Sequence, residues 1–251
     1  MGLADYRSAL VTGASSGIGA AMVRALCERG LAVTAAARRR DRLDALADET
    51  GCTPLVLDLR DRDALYAALA RQDFDILINN AGLGAGMGPL IEADPDDIDT
   101  TTGTNITAAL HVVRAVLPSM TKRKRGHIVN IGSIAGLHPV RSALYGATKA
   151  AIHRLSQNLR LELGGTGIRV TEICPGRVAT EFFQVAYGSA EKSRDILAAM
   201  EVIQPSEIAD AVIFALDAPW HVNISTIELT ATEQAPGGLQ IQPVDRPQDQ
   251  E

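Results

Sequence analysis

The chain has 251 residues, 46% of them hydrophobic, and its formal net charge at pH 7 is −6. This length fits one large α/β domain or two small ones, and the acidic balance argues against a nucleic-acid partner. No apolar run approaches the length of a membrane span, and no signal peptide is apparent. These features predict a cytoplasmic protein without a nucleic-acid or membrane partner.

The cysteines support the same location. Cys27, Cys52 and Cys174 lie far apart and are odd in number. They match no disulfide framework and no metal spacing, so a reducing compartment fits best. No cluster of histidine, cysteine and carboxylate residues occurs at metal-ligand spacing, and the sequence therefore predicts no metal site.

Short apolar runs alternate with segments of helical periodicity. The apolar runs predict strands at residues 9–12, 31–36, 53–57, 75–79, 127–131, 168–174 and 226–229. The other segments predict helices at residues 18–29, 41–48, 61–71, 98–120, 143–163, 190–200 and 205–216. Fully apolar strands separated by helices are typical of a parallel sheet covered on both faces. The predicted fold is α/β: a single Rossmann-type, doubly wound parallel sheet of about seven strands with helices on both faces.

Composition suggests one domain and a tail. No linker rich in Pro, Gly or Ser divides residues 1–234, and no internal repeat is apparent. Residues 235–251 differ, because they combine three prolines with several glutamines and lack helical periodicity. Two interpretations stay open: this tail is disordered, or it is an arm that orders against another subunit.

A glycine-rich segment at residues 12–19 joins the first predicted strand to the first predicted helix. Gly13 suits a tight turn, Gly17 a close backbone approach to a pyrophosphate, and Gly19 helix–strand packing. Free N–H groups at the helix N-terminus favour an anion at the same place. This arrangement predicts a dinucleotide site. The other residues assigned to this loop of the site are Ser15, Ser16 and Ile18.

The end of the second predicted strand favours a phosphorylated dinucleotide. An NAD site usually has Asp or Glu there to bind the ribose 2′-hydroxyl, whereas this chain has three arginines at 38–40. The Arg38 guanidinium can bind a 2′-phosphate through charge-assisted hydrogen bonds worth about 1.5–3 kcal/mol each. We therefore predict NADP(H), with Arg39 either at the site or in a solvated turn. Asp58 either contacts the adenine or is a helix N-cap or turn aspartate.

Tyr145 and Lys149 lie four residues apart in a predicted helix, so their side chains share one face. A neighbouring cation favours the phenolate, and a fall of about 3 units from the usual tyrosine pKa corresponds to roughly 4 kcal/mol. Such a phenol suits a general acid/base that moves a proton on or off an alcohol oxygen. The spacing of Tyr145 and Lys149 is weak evidence for catalysis on its own, because the same spacing occurs by chance on exposed helix faces.

Together these segments resemble the classical short-chain dehydrogenases/reductases over residues 8–229. The resemblance rests on residues 12–19, 79–82, 105, 133, 145, 149 and 175–176. It implies that Tyr145 is the catalytic acid/base and that Ser133 binds the substrate oxygen. It also implies that Lys149 holds the nicotinamide ribose and lowers the tyrosine pKa, while Asn105 positions a water that links Lys149 to solvent. The alternatives are a strand-end cap for Ser133 and a helix-kink or helix-packing role for Asn105.

The resemblance implies further cofactor contacts and an assembly. Around the adenine ribose it places Asn80, Ala81 and Gly82. At the nicotinamide carboxamide it places Pro175, Gly176, Val178 and Thr180. Because members of the family are commonly tetramers, the resemblance also implies a homotetramer.

A narrower resemblance, over residues 80–84, 126–133, 145–149 and 220–226, is to NADP-dependent 3-hydroxy acid dehydrogenases. This subgroup includes serine and allo-threonine dehydrogenases and malonic semialdehyde and sulfoacetaldehyde reductases. The chain departs from the family at Gly132, where many relatives have a second serine before Ser133. The interval from Ser133 to Tyr145 is twelve residues, one shorter than usual. Cys174 stands where some members of the subgroup have an acidic residue.

The resemblance implies a small polar alcohol or aldehyde as substrate, with an anionic group in many cases. Arg141 and Arg177 are candidates to bind that group, because a guanidinium matches a carboxylate or sulfonate. The alternative for each is a surface loop arginine. Phe182 lies in a predicted mobile lid at residues 181–200, where it either faces the substrate or packs within the lid.

The predicted function is thus an NADP(H)-dependent oxidoreductase that interconverts a small polar alcohol, of the 3-hydroxy acid or sulfonate type, and its aldehyde or ketone. Two alternatives stay open. One is a broad ketone reductase for bulkier neutral substrates, and the other is a non-catalytic dinucleotide-binding regulator with the same fold.

Overall fold

The structure is a computed structural model that describes residues 2–235 and 241–242. At its centre is a sheet of seven strands: β1 (Ser8–Thr12), β2 (Ala32–Ala37), β3 (Thr53–Val56), β4 (Ile76–Asn79), β5 (Gly126–Ile131), β6 (Ile168–Pro175) and β7 (Thr226–Leu229). Neighbouring strands are parallel and follow the order β3-β2-β1-β4-β5-β6-β7. The predicted doubly wound sheet is confirmed, and each predicted strand end lies within one residue of the observed end.

Helices cover both faces of the sheet. They are α1 (Gly17–Cys27), α2 (Arg40–Thr50), α3 (Arg62–Leu69), α4 (Pro95–Thr102), α5 (Ala109–Arg123), α6 (Ile134–Leu137), α7 (Ala143–Glu162), α8 (Phe182–Tyr187), α9 (Ala190–Ala198) and α10 (Pro205–Asp217). One apolar layer joins α1, α2 and α10 to the sheet, and the other joins α3, α5 and α7 to its opposite face. Within residues 2–235 and 241–242, no helix has the length and apolar character needed to cross a membrane.

The helix predicted at residues 98–120 is observed as a continuous helical run from Pro95 to Arg123, but its winding is not uniform. The structure has α4, then a π-helical segment at Gly103–Ala108, then α5. Asn105 lies in the π-helical segment and bonds to the loop after β4: Leu83 N donates to its Oδ1 at 2.9 Å, and its Nδ2 donates to Leu83 O at 2.8 Å. Apolar periodicity does not reveal this wider turn, because its partner comes from a distant segment.

Two short helices were not predicted. α6 is a single turn after β5, and α8 begins the segment predicted as a lid. Helices this short hold too few residues for periodicity to show, and α6 depends on a cap: the Ser133 hydroxyl accepts a hydrogen bond from Ala135 N at 3.1 Å.

The last described residues fold back on the domain. Ile241 pairs with Gln234 in an antiparallel bridge, and Gln242 N donates to Glu233 O at 2.8 Å. Ile241 also packs against the core. The remainder of the tail, 236–240 and 243–251, lies outside the described residues, so disorder and an inter-subunit arm both stay predictions.

Arg169 on β6 ties the sheet to the C-terminal end of α10. Its buried guanidinium donates to the carbonyl oxygens of Leu216 and Ala218 at 2.8 Å each, and to the Tyr6 hydroxyl at 2.9 Å. Carbonyl groups at a helix C-terminus carry partial negative charge, which suits a cation. Arg169 therefore anchors the N-terminal segment and α10 to the same strand.

Arg169→Ala is expected to lower the free energy of unfolding by about 3 kcal/mol, because it leaves buried carbonyl groups without donors. Chemical denaturation followed by circular dichroism measures the loss. Arg154→Ala, at an exposed position on α7, is the control, with an expected change below about 0.5 kcal/mol. Similar small losses in both variants would contradict the anchoring role.

Candidate active site

A cavity of about 630 Å³ opens at the carboxyl ends of β1, β4, β5 and β6. The connections after β1 and β4, which are neighbours in the sheet, run to opposite faces, and open α/β sheets bind ligands at such a point. The predicted cofactor residues that line the cavity are Gly13, Ser15, Ser16, Gly17, Ile18, Gly19, Arg38, Arg39, Asp58, Asn80, Ala81, Gly82, Tyr145, Lys149, Pro175, Gly176, Val178 and Thr180. Ser133, Arg141, Arg177 and Phe182 line it as well. The cavity thus brings together every predicted site residue except Asn105, which lies behind its wall.

The loop between β1 and α1 is held close to the end of β4. Asn80 Nδ2 donates to Thr12 O at 2.9 Å, and a Cβ on Gly13 would lie 2.8 Å from the Cα of Ala81. Gly13 also has a φ of +65°, which favours glycine. The loop then enters α1 at Ser16, whose side chain makes no capping hydrogen bond. The N–H groups of the first turn of α1 are therefore available to an anion.

Arginines surround this helix N-terminus. The Arg39 guanidinium donates to Ser15 Oγ at 2.8 Å and to Ser16 Oγ at 2.7 Å. It also pairs with Glu181 at 3.1 Å, and Arg42 pairs with the same carboxylate at 2.7 Å. Hydrogen bonds from Arg42, and then from Arg39, lower the pKa of Glu181. The glycine-rich loop and the start of the predicted lid are therefore linked through Arg39.

Asp58 lies across the cavity from this loop. Its carboxylate pairs with Arg60 at 2.9 Å. The hydrogen bond from Arg60 is the main cause that lowers the pKa of Asp58, and the charge of Arg38 adds to it. The predicted adenine contact of Asp58 stays a prediction, and its carboxylate is already engaged by a cation that sequence reasoning did not consider.

This set of donors fits a 2′-phosphorylated dinucleotide. The first turn of α1 offers backbone N–H groups, the glycines of the loop allow close approach, and Arg38 and Arg39 add two cations at one end of the cavity. The carboxylate that an NAD site would need at the end of β2 is replaced by Ala37.

Ser133 follows β5 and caps α6. Its hydroxyl accepts from Ala135 N at 3.1 Å and donates weakly to Pro175 O at 3.5 Å. The predicted alternative of a strand-end cap therefore describes part of its role. The hydroxyl also lines the cavity beside Tyr145, and its interaction with the phenol acts to lower the phenol's pKa.

Tyr145 lies in the first turn of α7, which is capped by Ser142: its hydroxyl accepts from Tyr145 N at 3.3 Å. The ring is half-buried and open to the cavity. Burial raises the pKa of Tyr145 to about 12, and the hydrogen bond with Ser133 only partly opposes this. The prediction of a lowered tyrosine pKa is therefore wrong for this structure, because burial outweighs the opposing hydrogen bond with Ser133.

Lys149 lies one turn further along the same face of α7, as predicted. Its buried Nζ donates to Ile131 O at 2.9 Å and lies 5.9 Å from the centroid of the Tyr145 ring. Burial lowers the pKa of Lys149 to about 8, and the neighbouring Cys174 and Glu172 oppose that shift.

Asn105 lies behind the cavity wall next to Lys149. A Cβ on Gly82 would lie 3.4 Å from Asn105 Oδ1 and 3.5 Å from Lys149 Nζ, so both polar groups border this glycine. Asn105 Nδ2 also donates to Thr148 Oγ1 at 3.0 Å. These contacts hold Asn105 near the lysine, as the predicted relay requires.

The two candidate arginines differ in their surroundings. Arg141 is exposed in the loop before α7. Arg177 is buried after β6, where its Nη1 donates to Ile196 O at 3.4 Å and its backbone N donates to the Gln234 side chain at 2.9 Å. Burial lowers the pKa of Arg177. Arg141 is therefore an exposed loop arginine that also lines the cavity, whereas the surface-loop alternative does not describe the buried Arg177.

Phe182 opens α8 and packs over the candidate catalytic group. Its ring centroid lies 5.3 Å from that of Tyr145 and 5.4 Å from that of Phe183. It therefore both faces the cavity and packs within the predicted lid, so the two interpretations of this residue are compatible.

Sequence reasoning missed several groups at the site. Gln234, beside Gly176 and Arg177, comes from the end of the domain and carries no local signal. The structure also assembles His153, Glu172 and Cys174, whose ligand-type atoms lie within 4.8 Å of one another, although their sequence spacing predicted no metal site. Only the pairing of α7 with β6 brings these three together.

A site of this kind, at the carboxyl edge of a doubly wound sheet, is typical of dinucleotide-linked oxidoreductases. The family model described as short chain dehydrogenase matches residues 7–189, and the chain belongs to this family. The resemblance seen in the sequence is thereby confirmed.

Several relatives match nearly the whole chain. The NADP-dependent 3-hydroxy acid dehydrogenase YdfG of Salmonella typhi is 42% identical over 242 residues, which cover 92% of this chain and 98% of that protein. The uncharacterized short-chain type dehydrogenase/reductase y4eK of Sinorhizobium fredii is 41% identical over 242 residues, covering 96% and 98%. A solved structure, the closed form of serine dehydrogenase complexed with NADP+, is similar with a TM-score of 0.89 and 40% identity, covering 95% of this chain and 99% of that one.

Arg38→Ala is expected to weaken NADPH binding about 10–100-fold and NADH binding far less, because charge-assisted hydrogen bonds to the 2′-phosphate are lost. Isothermal titration calorimetry with both nucleotides measures the difference. Arg40→Ala, at the first residue of α2, is the matched control. An equal loss for both nucleotides in Arg38→Ala would contradict its assignment to the phosphate.

Proposed function

We propose that this chain is an NADP(H)-dependent oxidoreductase that interconverts a small polar alcohol and its aldehyde or ketone, with 3-hydroxy acids or their sulfonate analogues preferred. The observation that carries the proposal is that Ser133, Tyr145 and Lys149 face the same cavity as the glycine-rich loop. The names of two relatives, an NADP-dependent 3-hydroxy acid dehydrogenase and a serine dehydrogenase with NADP+, support the cofactor and the substrate class.

The residues of the site suit a coupled hydride and proton transfer. When bound, NADP(H) donates or accepts the hydride. In reduction, the hydroxyl groups of Ser133 and Tyr145 donate hydrogen bonds to the substrate carbonyl oxygen. As the carbon gains a hydride, the Tyr145 O–H bond breaks and its proton moves to that oxygen. Oxidation reverses both transfers.

The pKa values suit these roles. With a pKa of about 12, Tyr145 is protonated at neutral pH and can act directly as the acid in reduction. Oxidation requires the phenolate, which the ammonium of Lys149 stabilises. We infer that Asn105, through a water, passes protons between Lys149 and solvent; its contact with Gly82 beside Lys149 supports this role.

The substrate class rests on Arg141 and Arg177. Both line the cavity, and a guanidinium binds a carboxylate or sulfonate well. A second candidate, a broad reductase of bulkier neutral ketones, is favoured by the apolar part of the lining. That part includes Met87, Val140, Phe182 and Val185. Two further predictions stay open: a cytoplasmic location, from the cysteines and the sequence composition, and a homotetramer, from the resemblance.

Tyr145→Phe is expected to lower kcat/KM at least about 100-fold, because it removes the proton donor and keeps the ring packing. Nicotinamide absorbance measures turnover with short hydroxy acids, sulfonates and neutral alcohols, each with NADP+ and NAD+. Oxidation in the wild type is expected to accelerate as pH rises, because deprotonation of Tyr145 becomes easier. Equal turnover by wild type and variant would exclude this mechanism, and an inactive wild type that still binds NADPH would favour a regulator.

Arg141→Ala and Arg177→Ala separate the two substrate classes. Loss of an anion-binding guanidinium is expected to raise KM for a short hydroxy acid about tenfold or more and to leave its neutral analogue unchanged. Steady-state kinetics on matched acid and alcohol pairs provides the measurement. If neither variant changes the preference for the acid, the neutral ketone reductase becomes the better interpretation.

A further inference from the structure

A buried carboxylate behind the candidate active site has no part in the mechanism above. Glu172 on β6 is fully buried, and its Oε2 lies 2.6 Å from Nδ1 of His153 on α7. His153 follows Lys149 by four residues, and Lys149 follows Tyr145 by four, so all three side chains share one face of α7. The pair formed by His153 and Glu172 therefore lies at the same face of α7 as Tyr145, one turn beyond Lys149.

The second carboxylate oxygen of Glu172 lies against the backbone at Gly132, between Ile131 and Ser133. Glu172 Oε1 has no hydrogen-bond donor among the described residues and packs against Gly132, where any Cβ would overlap it. Gly132 separates Ile131, whose carbonyl oxygen accepts from Lys149, and Ser133. The carboxylate thus lies directly against the peptide that seats the lysine.

The charge of Glu172 acts on Lys149. Burial lowers the pKa of Lys149 to about 8, and Cys174 and Glu172 oppose that fall. Burial and then Glu172 raise the pKa of the Cys174 thiol far above neutrality, so the thiol stays protonated and carries no charge. Glu172 is therefore the effective anion beside the lysine. The other titratable groups around this pair are Tyr145, His153 and Arg160 on α7, Glu228 on β7, and His138, which lies 2.7 Å from Glu228.

A metal ion is a poorer interpretation of the same cluster. His153, Glu172 and Cys174 offer three ligand-type atoms within 4.8 Å. However, a divalent cation would repel the Lys149 ammonium and would have to break the 2.6 Å bond between His153 and Glu172. A Glu172 carboxylate without a bound metal ion therefore fits the neighbouring Lys149 ammonium better than a metal site does.

We propose that Glu172 is a positioning residue, and that its carboxylate, held by His153 and seated on Gly132, keeps Lys149 in the ammonium form. This role rests on the proposed function, in which Lys149 acts as a cation. It also gives a reason for the glycine at position 132, because a side chain there would displace the carboxylate.

Direct titration of Lys149 tests the proposal without turnover. The chain has four lysines, so ¹³C-lysine NMR is tractable, and Lys149→Arg assigns the signal. Glu172→Gln is expected to lower the titration midpoint of Lys149 by about 1 unit or more, because an opposite charge nearby raises a lysine pKa by about 1–3 units. An unchanged midpoint would overturn the proposal.

Two further variants separate charge from packing. His153→Gln keeps a donor for Glu172 and is expected not to lower the midpoint; a fall as large as that of Glu172→Gln would overturn the charge argument.

Gly132→Ala pushes the carboxylate away without removing it, so a smaller fall in the midpoint is expected. In Glu172→Gln/Gly132→Ala the fall is expected to equal that of Glu172→Gln alone. If Glu172→Gln does not fold, Gly132→Ala decides: an unchanged midpoint in that variant overturns the proposal.

The rate of NADPH-dependent reduction provides a second readout. In Glu172→Gln the alkaline limb of kcat is expected to move about 1 unit towards lower pH, while the rate at pH 6.5 is retained. A purely structural defect would lower the rate equally at every pH, and that result would count against the proposal. If the wild type shows no turnover, the proposed function fails, and the lysine titration still decides the role of Glu172.

Discussion

The hydrogen bond from Lys149 Nζ to Ile131 O places a cation inside the protein at the end of β5. Burial of an ammonium is costly, and the lowered pKa of about 8 expresses that cost. The lysine can stay there only because a strand-end carbonyl accepts from it and because anionic and polar groups surround it. Asn105 and Gly82 on one side and Glu172 on the other belong to this environment. These groups together favour a positive charge on Lys149 at this buried position.

The sheet supplies the rigid frame for this arrangement. Thr12 at the end of β1 accepts hydrogen bonds at its Oγ1 from Asn80 N and Ala81 N, both at 3.0 Å, so the loops after β1 and β4 are fixed to each other. The glycine-rich loop passes close to the loop after β4, since a Cβ on Gly13 would collide with it. Because both loops end at the same edge of the sheet, they place the dinucleotide end and the lysine end in one cavity.

Much of this was predictable from the sequence, for identifiable reasons. Strands in a doubly covered parallel sheet are continuous apolar runs, so their positions and the fold were predicted closely. Residues such as Ser133 and Tyr145 follow strands or open helices, and parallel topology brings such positions to one edge. The π-helical turn at Asn105 was not predictable, because its cause is a contact with Leu83. The pairing of Glu172 with His153 was also missed, since it depends on how α7 packs against β6.

The wrong sign predicted for the pKa of Tyr145 has the same origin. Sequence spacing shows which charges are near a phenol but does not show how deeply the phenol and those charges are buried. Burial raises the pKa of Tyr145 to about 12 and lowers that of Lys149 to about 8, so each group is driven towards its neutral form. Lys149 can stabilise the phenolate of Tyr145 only while it is an ammonium, and a nearby negative charge favours that form. The carboxylate of Glu172, seated where Gly132 leaves room for it, is such a charge within the described part of the chain.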